Sequence, residues 1–283
     1  MRLLRVGPPG RETPALLHED GSWRDLSGLV EDLWGVTVSK ASLDQIRAAD
    51  PETLPELPQG ERIGPCIGTT PTFHCIGLNY RKHAEESGMP PPGEPILFTK
   101  ASSALCGPND PIIRPKDAEK LDYEVELGVV IGEVCEHVSE ADALSRVAGY
   151  CVVNDVSERA YQIERLGQWV KGKSAPNFGP VGPWLVTADE VADPQALKCW
   201  LDVNDETRQL SMTSDMIFSV AEIISYMSRF MRLVPGDLIA TGTPEGVAMG
   251  MDPPGWLVPG DVVTLGIDGL GEQRQEVVAH SLA

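Results

Sequence analysis

The stretch LDYEVELGVVIG, residues 121–132, carries the pattern from which the fold of this chain is predicted. It has an acidic side chain at every second position, Asp122, Glu124 and Glu126, and continues as the apolar run 128–132. Side chains on a β-strand alternate between its two faces, so the three carboxylates share one face and the residues between them the other. The alternation predicts a strand, and the apolar continuation indicates a buried strand rather than a sheet edge.

Short strand-like runs of the same kind recur along the chain, separated by Gly, Pro and Asp. Short strands with frequent turns are typical of an antiparallel or mixed β-fold, arranged as a sandwich, a roll or a barrel. Helices are predicted among them at residues 139–147, 157–166 and 219–232, so the fold class is α+β and mainly β. The last helix has an apolar stripe at helical spacing, which predicts packing against the core: Val220, Ile223, Ile224, Met227 and Met231.

The beginning of the chain is predicted to form a small α+β unit. Ser42 is placed to cap the N-terminus of a helix, and Pro51 to end that helix. The stretch 51–65, PETLPELPQGERIGP, is rich in Pro and Gly and is typical of a linker. We therefore predict a small N-terminal domain with its linker at residues 1–70 and a catalytic β-domain at residues 71–283.

The composition excludes several function classes. Hydrophobic residues make up 42% and charged residues 23% of the 283 residues, and the formal net charge is −19. Because the chain is acidic and has no basic patch, nucleic acid is not an expected partner. No apolar run approaches the roughly 20 residues of a membrane span, and the N-terminus lacks the features of a signal peptide. The six cysteines form no CxxC pair and stand in apolar surroundings, which predicts buried free thiols in a cytoplasmic protein.

Glu124 and Glu126 are the first candidates for chemistry. On one strand face their Cβ atoms would lie about 6.5–7 Å apart, and two ionised carboxylates that close repel each other, more strongly when buried. A divalent cation would relieve this repulsion, and hard oxygen ligands suit Mg²⁺, Mn²⁺ or Ca²⁺. Taken alone, the pair fits a solvated strand face better than a metal site. Further candidate ligands elsewhere in the chain are needed to favour the metal site.

Asp155 is the candidate for a third carboxylate. It follows the apolar strand-like run in GYCVVND, residues 149–155, just before a helical pattern begins. A carboxylate at the end of a buried strand is well placed to be a metal ligand. It is equally well placed to cap the helix that follows, and one side chain cannot easily do both.

His83 and Glu86 are the candidates for acid–base chemistry. They lie three residues apart in GLNYRKHAEESGMP, residues 77–90, and share one face if this stretch is helical. A carboxylate beside an imidazole raises its basicity and fixes its orientation, which suits a general base. The alternative is a surface turn with scattered charges. The Gly and Pro residues that follow indicate a mobile segment of the kind that forms lids.

Two stretches rich in Gly are candidate substrate contacts. Lys173 stands in GQWVKGKSAPNFGPVGP, residues 167–183, which we expect to be a loop. There it could pair with an anionic substrate or be an ordinary surface lysine. TGTPEG, residues 241–246, is typical of a loop whose amides converge on an anion, although one Gly-rich loop alone is weak support.

Taken together, six stretches in this order resemble the fumarylacetoacetate hydrolase family, over about residues 62–280. A resemblance that rests on six ordered motifs is specific, whereas each motif alone is not. The motifs are IGLNYRKHAEE, PILFTKASSALCGPNDPI, DYEVELGVVIG, GYCVVNDVSER, GQWVKGKSAPNFGPVGP and VPGDLIATGTPEGV.

The resemblance implies a fold, a metal and a set of site residues. The expected fold is a mixed β-roll, in a homodimer. The expected cofactor is Mg²⁺ or Mn²⁺, bound by Glu124, Glu126 and Asp155, while Asp122 has an orienting or structural role. The expected catalytic residues are His83, Glu86 and Lys173, and the expected substrate contacts are Gln162, Thr243, Arg159 and Lys100.

The C-terminal motif GVAMGMDPPGWLVPGDVVTLGIDGLGEQRQEVVA, residues 246–279, resembles the branch of the family that acts on 2,4-diketo-3-deoxy sugar acids. This resemblance implies hydrolysis of the C3–C4 bond of the L-rhamnonate or L-fuconate derivative, to pyruvate and a hydroxy acid such as lactate. Oxaloacetate decarboxylase, acylpyruvate hydrolase and a double-bond isomerase of aromatic catabolism are the alternative enzymes. A metal-stabilised binding module without turnover is the alternative outside enzymes, and the His83–Glu86 pair argues against it.

Overall fold

Most strands of the chain belong to one long mixed sheet. The computed structural model describes residues 1–280. In chain order the strands are β1 (Arg2–Val6), β2 (Thr13–Leu17), β3 (Trp23–Asp25), β4 (Glu56–Leu57), β5 (Phe73–Gly77), β6 (Ile96–Lys100), β7 (Leu105–Cys106), β8 (Ile112–Arg114), β9 (Leu121–Asp122), β10 (Val125–Ile131), β11 (Val147–Asn154), β12 (Ser157–Glu158), β13 (Gly179–Thr187), β14 (Lys198–Val203), β15 (Glu206–Met212), β16 (Leu238–Ala240), β17 (Val262–Ile267) and β18 (Gly271–Ala279).

Short helices connect these strands. The α-helices are α1 (Lys40–Ala48), α2 (Arg81–Glu86), α3 (Glu140–Ala143), α4 (Arg159–Ile163), α5 (Val170–Lys173) and α6 (Val220–Met227). The 3-10 helices are Gly35–Val38, Pro51–Thr53, Ser102–Ala104, Leu144–Arg146, Ala188–Glu190, Thr213–Asp215 and Ala248–Gly250.

The strands form three sheets. The largest has the order β4-β3-β2-β1-β13-β11-β10-β16-β5-β6, with β7 paired to β13. A five-stranded sheet has the order β15-β14-β17-β18-β8, and β9 pairs with β12 alone. Most pairs are antiparallel, whereas β16–β5, β13–β7 and β18–β8 are parallel. The prediction of a mainly β, α+β fold with mixed strand directions is confirmed, and the sheets are open rather than closed into a barrel.

The stretch 121–132 is not the single strand that its alternation predicts. It divides into β9 and β10, which pair with different partners, and Tyr123 and Glu124 lie between them. Side chains accept the hydrogen bonds of the backbone amides at this break. The carboxylate of Asp122 accepts from the amide of Tyr123, and the side-chain oxygen Oδ1 of Asn154 accepts from the amide of Glu124. The two backbone amides at the break are therefore bonded by side chains instead of by a neighbouring strand.

Strand β10 lies in the middle of the large sheet and is buried on both faces. Val125, Leu127, Val129 and Ile131 point into the main hydrophobic core, together with residues of helix α6 and of the five-stranded sheet. On the other face, a Cβ at Gly128 would lie 2.7 Å from the Cys151 and Val153 side chains, so the strands pack here only because this residue is glycine. The predicted burial of this stretch is confirmed.

The N-terminal strands extend the large sheet. Strand β1 pairs with β2 on one side and with β13 on the other, so residues 1–70 and the following part of the chain share one sheet. The cap prediction in this segment is wrong. The side chain of Ser39 caps helix α1 and accepts from the amide of Ser42, because Ser39 is the last residue with extended backbone angles before the helix.

The remaining helices are shorter than predicted. The segment 139–147 gives α3 and one 3-10 turn before β11 begins, and the segment 157–166 begins as strand β12 before α4. Helix α6 begins with a capping box between Ser219 and Glu222 and ends at Met227 instead of residue 232. Its predicted apolar stripe is confirmed, since four of the five residues are buried in the main core and Met231 packs against it.

The cysteine prediction is confirmed, because all six thiols are free and buried. Within residues 1–280, no helix combines the length and the apolar character that crossing a membrane requires.

Replacing Ile223 by Ala should destabilise the protein by about 2–5 kcal/mol, since the substitution leaves a cavity beneath helix α6. Urea unfolding of the purified protein would measure this loss. The exposed Arg229, just beyond the same helix, provides the control, and Arg229→Ala should change stability by less than about 0.5 kcal/mol. Equal effects of the two substitutions would contradict the assignment of this stripe to the core.

Candidate metal centre and active site

Three carboxylates converge where β10 begins and β11 ends. Glu124, Glu126 and Asp155 each offer an oxygen, and these oxygens all lie within 4.8 Å of one another. The three residues are buried, with exposed fractions of 4%, 3% and 0%. The strand register brings them together, because Val125 pairs with Asn154 and the amide of Asp155 donates to the carbonyl of Glu124 at 3.0 Å.

Three buried cationic side chains hold this cluster. Lys173 Nζ donates to Glu124 Oε2 at 2.6 Å and to Asp155 Oδ2 at 2.8 Å. Arg159 Nη2 donates to Glu124 Oε1 at 2.6 Å, and Lys100 Nζ donates to the other oxygen of Asp155. Charges in a low-dielectric interior persist only when they are paired and hydrogen-bonded, and these contacts supply that pairing.

The two strand carboxylates have opposite electrostatic surroundings. Burial raises the pKa of Glu124, but Lys173 and Arg159 outweigh burial and lower it to about 2. Burial also raises the pKa of Glu126, and there the negative charges of Asp155 and Glu124 raise it further, well above its usual value. Among the ion pairs of the described residues, Glu126 takes part in none. Glu126 is therefore the carboxylate that lacks a counter-charge.

The charge balance of the cluster fits a divalent cation. With all four carboxylates ionised, Asp122 included, they face three cationic side chains, which would leave one net negative charge in a buried site. A divalent cation would change this net charge to +1 and would supply the counter-charge that Glu126 lacks. Carboxylate oxygens are the ligands that hard cations such as Mg²⁺ and Mn²⁺ prefer.

Asp122 orients the arginine of the cluster. Its carboxylate accepts from Arg159 Nε at 2.8 Å and from the amide of Ala248 at 2.8 Å. The same guanidinium donates to Glu124 and, through Nη1, to Gln162 Oε1 at 2.9 Å. Asp122 thus shares the acidic face of the stretch but contacts the cluster only through Arg159.

Asp155 does not cap the helix that follows it. Glu158 is the N-cap residue of α4, and its carboxylate accepts from the amide of Ala160 at 3.0 Å. The two alternatives for Asp155 are thereby separated, because its carboxylate is left to interact with Lys100 and Lys173.

Helix α2 carries His83 and Glu86 to the same site. His83 is 5% exposed, and its Nδ1 lies 3.4 Å from Glu86 Oε2. The Glu86 carboxylate also accepts from the amide of Gly246, at 3.0 and 3.2 Å. A Cβ at Gly250 would overlap the Glu86 carboxyl group, so this carboxylate is seated on a surface that only glycine leaves open. The imidazole is therefore oriented by a carboxylate that is itself held in place.

The loop at residues 241–246 binds anionic groups, and these groups belong to the protein. The amide of Gly242 donates to Glu126 Oε2 at 2.8 Å, and the amide of Gly246 donates to Glu86. Both glycines have positive φ angles, of 101° and 96°, which aim their amides in directions that other residues rarely adopt. The loop thus connects a carboxylate of the cluster with the carboxylate of helix α2.

One cavity of about 360 Å³ brings most of these side chains together. Its polar lining contains seven of the ten predicted site residues and one further residue, Ser87. Those polar lining residues are His83, Ser87, Glu124, Glu126, Arg159, Gln162, Lys173 and Thr243. The remaining lining residues are apolar or glycine, namely Ile76, Gly77, Leu78, Met89, Phe98, Ile163, Trp169 and Met249.

Lys100 differs from the other predicted substrate contacts because it does not line the cavity. It lies behind Asp155 and also donates to the carbonyl of Val156 at 3.0 Å. The hydroxyl of Thr243 does line the cavity, but it is bonded to the carbonyl of Val125 and to Gln209 Nε2. The structure therefore gives Lys100 and Thr243 contacts that hold the site together.

The expectation that Lys173 lies in a loop is wrong, because it is the last residue of helix α5. A Cβ at Gly172 would lie 2.5 Å from backbone atoms of Glu158 and Gln162, so this glycine lets α5 pack directly against α4. The close packing directs Lys173 into the carboxylate cluster.

Sequence reasoning missed the apolar side of the cavity. Trp169 and Phe98 contact each other edge to face, with ring centroids 5.2 Å apart. Both residues stand inside motifs that were noticed for their lysines, Trp169 four residues before Lys173 and Phe98 two residues before Lys100. Ser87 was missed as well. Its hydroxyl is buried, lines the cavity and has no hydrogen-bond partner among the described residues.

Comparison with known proteins assigns the chain to a family. The protein-family model described as "Fumarylacetoacetate (FAA) hydrolase C-terminal" matches residues 72–278. The chain belongs to this family. A protein of Burkholderia multivorans, described as "Putative hydrolase", is 57% identical over 276 residues, which cover 97% of this chain and 98% of that protein.

Solved structures of both hydrolases and isomerases resemble the chain. Maleylpyruvate hydrolase from Sphingobium sp. SYK-6, in complex with manganese(II) ion and pyruvate, is 30% identical with a TM-score of 0.81, over 99% of this chain and 100% of that one. The 5-carboxymethyl-2-hydroxymuconate delta-isomerase from Mycobacterium smegmatis is 32% identical with a TM-score of 0.78, over 100% of both chains. These findings support an enzyme, either a hydrolase or an isomerase, with a divalent metal at its acidic cluster.

Replacing Glu126 by Gln should weaken Mn²⁺ binding by at least about 100-fold, because the substitution removes a charged ligand. Calorimetric titration of the metal-free protein would measure this loss. The exposed Glu276 on strand β18 provides the control, and Glu276→Gln should bind Mn²⁺ as the wild type does. Wild-type affinity in Glu126→Gln would exclude Glu126 as a ligand.

The same substitution should stabilise the metal-free protein at alkaline pH. The raised pKa of Glu126 means that its ionised form is disfavoured in the fold, so the wild type should lose stability as pH rises from about 4.5. Glu126→Gln should not show this loss, and the two proteins should therefore differ more at pH 8 than at pH 4.5. Thermal unfolding in the presence of a chelator measures the difference. A difference that shrinks as pH rises would contradict the raised pKa.

Replacing Gly250 by Ala should displace the Glu86 carboxylate and leave His83 without its partner. If His83 acts as a general base, turnover should fall by about 10²–10⁴-fold, whereas Mn²⁺ affinity should stay unchanged because the metal cluster is not touched. Gly28→Ala is the matched control, since nothing lies within 4 Å of the Cβ that it would add. An unchanged kcat in Gly250→Ala would show that the packing of the Glu86 carboxylate against Gly250 is not needed for turnover.

Proposed function

We propose that this chain is a metal-dependent hydrolase that cleaves the C3–C4 bond of a 2,4-diketo acid. Water and the diketo acid are consumed, and pyruvate and a second carboxylic acid are formed. The observation that carries this proposal is that an imidazole, from His83, and two carboxylates of the buried acidic cluster, from Glu124 and Glu126, line one cavity. Hydrolysis at a carbonyl carbon needs a base for the attacking water, and departure of a pyruvate enolate needs stabilisation of negative charge.

Glu124, Glu126 and Asp155 would hold the metal. When bound, a divalent cation supplies Lewis-acid stabilisation of the negative charge that develops on the 2-oxo oxygen. The cluster with such a cation would carry one net positive charge, which suits the single negative charge of a monocarboxylic diketo acid. Binding of the substrate would then leave the buried site close to neutral, a balance that favours anionic substrates over neutral ones.

His83 would act as the general base. When Nδ1 carries the proton that it shares with Glu86, Nε2 is left as an acceptor for a proton from water. The hydroxide formed in this way attacks the C4 carbonyl, and collapse of the tetrahedral centre breaks the C3–C4 bond. The pyruvate half leaves as its enolate and takes a proton at C3. Glu86 stabilises the imidazolium that exists between these two proton transfers.

Arg159, Lys173, Gln162 and Thr243 would orient the substrate from the polar end of the cavity. The Nε2 group of Gln162 is a donor for a substrate oxygen, because its Oε1 is held by Arg159. Ser87 adds an unpaired hydroxyl beside the general base. Lys100 was expected to bind substrate, and its bond to Asp155 supports the alternative that it orients that ligand.

The particular substrate that we propose is 2,4-diketo-3-deoxy-L-rhamnonate or its L-fuconate analogue, which would give pyruvate and lactate. The support for it is the resemblance of the C-terminal motif, together with the pyruvate bound in the related maleylpyruvate hydrolase. Sugar-acid catabolism in the cytoplasm, by a homodimer, is the corresponding physiological proposal.

A second candidate is a double-bond isomerase, which the solved isomerase relative favours. Isomerisation uses the same cluster to stabilise an enolate and the same base to move a proton, but it needs no attacking water. Oxaloacetate decarboxylation and hydrolysis of simple acylpyruvates are further reactions that pass through a pyruvate enolate. The release of pyruvate distinguishes hydrolysis and decarboxylation from isomerisation.

A panel of substrates with Mn²⁺ or Mg²⁺, scored for pyruvate, tests the proposal. The panel contains the two deoxy sugar-acid derivatives, acetylpyruvate, oxaloacetate and a muconate-type isomerase substrate. Metal-dependent release of pyruvate together with an equal amount of the second acid from a diketo acid supports hydrolysis. Turnover of oxaloacetate alone, or of the isomerase substrate without pyruvate, would replace it with one of the alternatives.

His83→Ala should reduce hydrolysis by about 10²–10⁴-fold, the usual contribution of a positioned general base, and spare metal binding. Glu124→Ala should lose both activity and metal binding. Steady-state kinetics combined with calorimetric metal titration separate the two effects. Unchanged kcat in His83→Ala would place the base elsewhere.

A further inference from the structure

The lining of the cavity has a polar part and an apolar part, and the apolar part has no role in the reaction described so far. It is formed by six side chains, called the apolar wall from here on: Leu78, Met89, Phe98, Ile163, Trp169 and Met249. Two of them, Met89 and Ile163, expose 51% and 50% of their surface. Large apolar side chains exposed at the mouth of a cavity are typical of a surface that a ligand covers.

We propose that the apolar wall makes this enzyme select 2,4-diketo acids with one carboxylate and an apolar alkyl or aryl substituent on C4. This inference rests on the proposed function, since the metal cluster is taken to bind the 2-oxo acid end of the substrate. The substituent on C4 is then the part of the substrate that extends toward the wall.

The cations that line the cavity are already paired with carboxylates, including Lys173, whose Nζ lies 5.2 Å from the centroid of the Phe98 ring. Arg159 is bonded to Asp122 and Glu124, and Lys173 is bonded to Glu124 and Asp155. Among the described residues that line the cavity there is no further lysine or arginine. A second carboxylate on the substrate would therefore lose its water without gaining a counter-charge, which disfavours dicarboxylic substrates.

Hydroxyl groups on the substituent have almost no partners at the wall either. Ser87 is the one hydroxyl of the lining that has no hydrogen bond among the described residues. A substrate with several hydroxyls would bury more polar groups than this single side chain can satisfy, and unpaired buried polar groups are strongly discriminated against. A 6-deoxy sugar acid, with one hydroxyl and a terminal methyl, is the most polar substrate that the wall accommodates well.

The position of Trp169 in the wall is fixed by its neighbours. A Cβ at Gly77 would lie 2.5 Å from Trp169 Cζ3, so the indole rests directly on the glycine backbone. On its other side it meets Phe98 edge to face, with the ring planes at 67°. An aromatic surface held in this way contributes apolar contact area without losing much conformational freedom when a ligand binds.

Binding of 2-oxo acids that lack the 4-oxo group tests the inference without any turnover. We would titrate the Mn²⁺-loaded protein with 2-oxobutanoate, 2-oxohexanoate and 2-oxooctanoate, and with the dicarboxylic 2-oxosuberate as the match for the eight-carbon acid. Affinity should rise by about fourfold per methylene that reaches the wall, and 2-oxosuberate should bind at least about tenfold more weakly than 2-oxooctanoate. Flat affinities, or preference for the dicarboxylate, would overturn the inference.

Two variants test whether the apolar wall causes the dependence of affinity on chain length and on a second carboxylate. Trp169→Ala should remove most of the gain with chain length and leave 2-oxobutanoate unchanged. Ile163→Lys should reverse the preference toward 2-oxosuberate, and because Ile163 is half exposed the substitution should leave the fold intact. Trp34→Ala, at an exposed tryptophan of the N-terminal segment, is the control and should behave as the wild type. If Ile163→Lys still bound 2-oxooctanoate more tightly than 2-oxosuberate, the proposal that the apolar wall selects the substrate would be contradicted.

The same titrations separate this inference from the proposed reaction. Suppose that the affinity of the 2-oxo acids rises with chain length and is lower for the dicarboxylate, but no 2,4-diketo acid yields pyruvate. The role of the apolar wall is then supported and the proposed hydrolysis is rejected. If diketo acids are hydrolysed but chain length and a second carboxylate have no effect on affinity or on kcat/KM, the hydrolysis is supported and the wall is rejected.

Discussion

Mutual repulsion among buried carboxylates is the constraint on which the rest of this site depends. Glu124, Glu126 and Asp155 bring their oxygens within 4.8 Å of one another in the interior. Lysine and arginine side chains neutralise most of this charge, but their contacts leave Glu126 without a cation of its own. The protein therefore keeps a site that is electrostatically incomplete, and that incompleteness fits the divalent metal that we propose it binds.

The loop at residues 241–250 shows how the same carboxylates organise the chain around them. Its amides hold Glu126, Glu86 and Asp122, three side chains from three separate elements. Helix α2, with the imidazole, and strand β10, with the clustered carboxylates, are thereby bonded to one piece of backbone. A movement of helix α2 and a change of charge at the cluster would both act on this loop, which physically links the imidazole to the carboxylates.

The sequence predicted most of the polar residues of the site, although not Ser87, and none of the apolar residues. The alternation of Glu124 and Glu126, and the order of six motifs, were enough to predict the mainly β fold and the three carboxylates that converge in it. Polar residues in a strand pattern can indicate a functional site in this way, because few structural roles explain a carboxylate that is buried. Trp169 and Ile163 gave no such indication, since an apolar residue fits any core position and only the path of the chain shows that these two line a cavity. The break after Asp122 was hidden for a related reason, because the side chains that replace the strand partner, from Asn154 and Gln209, are distant in sequence.

The pairing of the first strand has a consequence for synthesis of the protein. Strand β1 needs β13 as its neighbour, and Arg2 pairs with Val186. At translation rates of about 5–20 residues per second, roughly ten to forty seconds separate the emergence of these two segments from the ribosome. During that interval the first hairpin exposes an unpaired, apolar edge, which is a known risk for aggregation. Nascent chains of this protein thus have a window of vulnerability that closes only when the second half of the large sheet has been made.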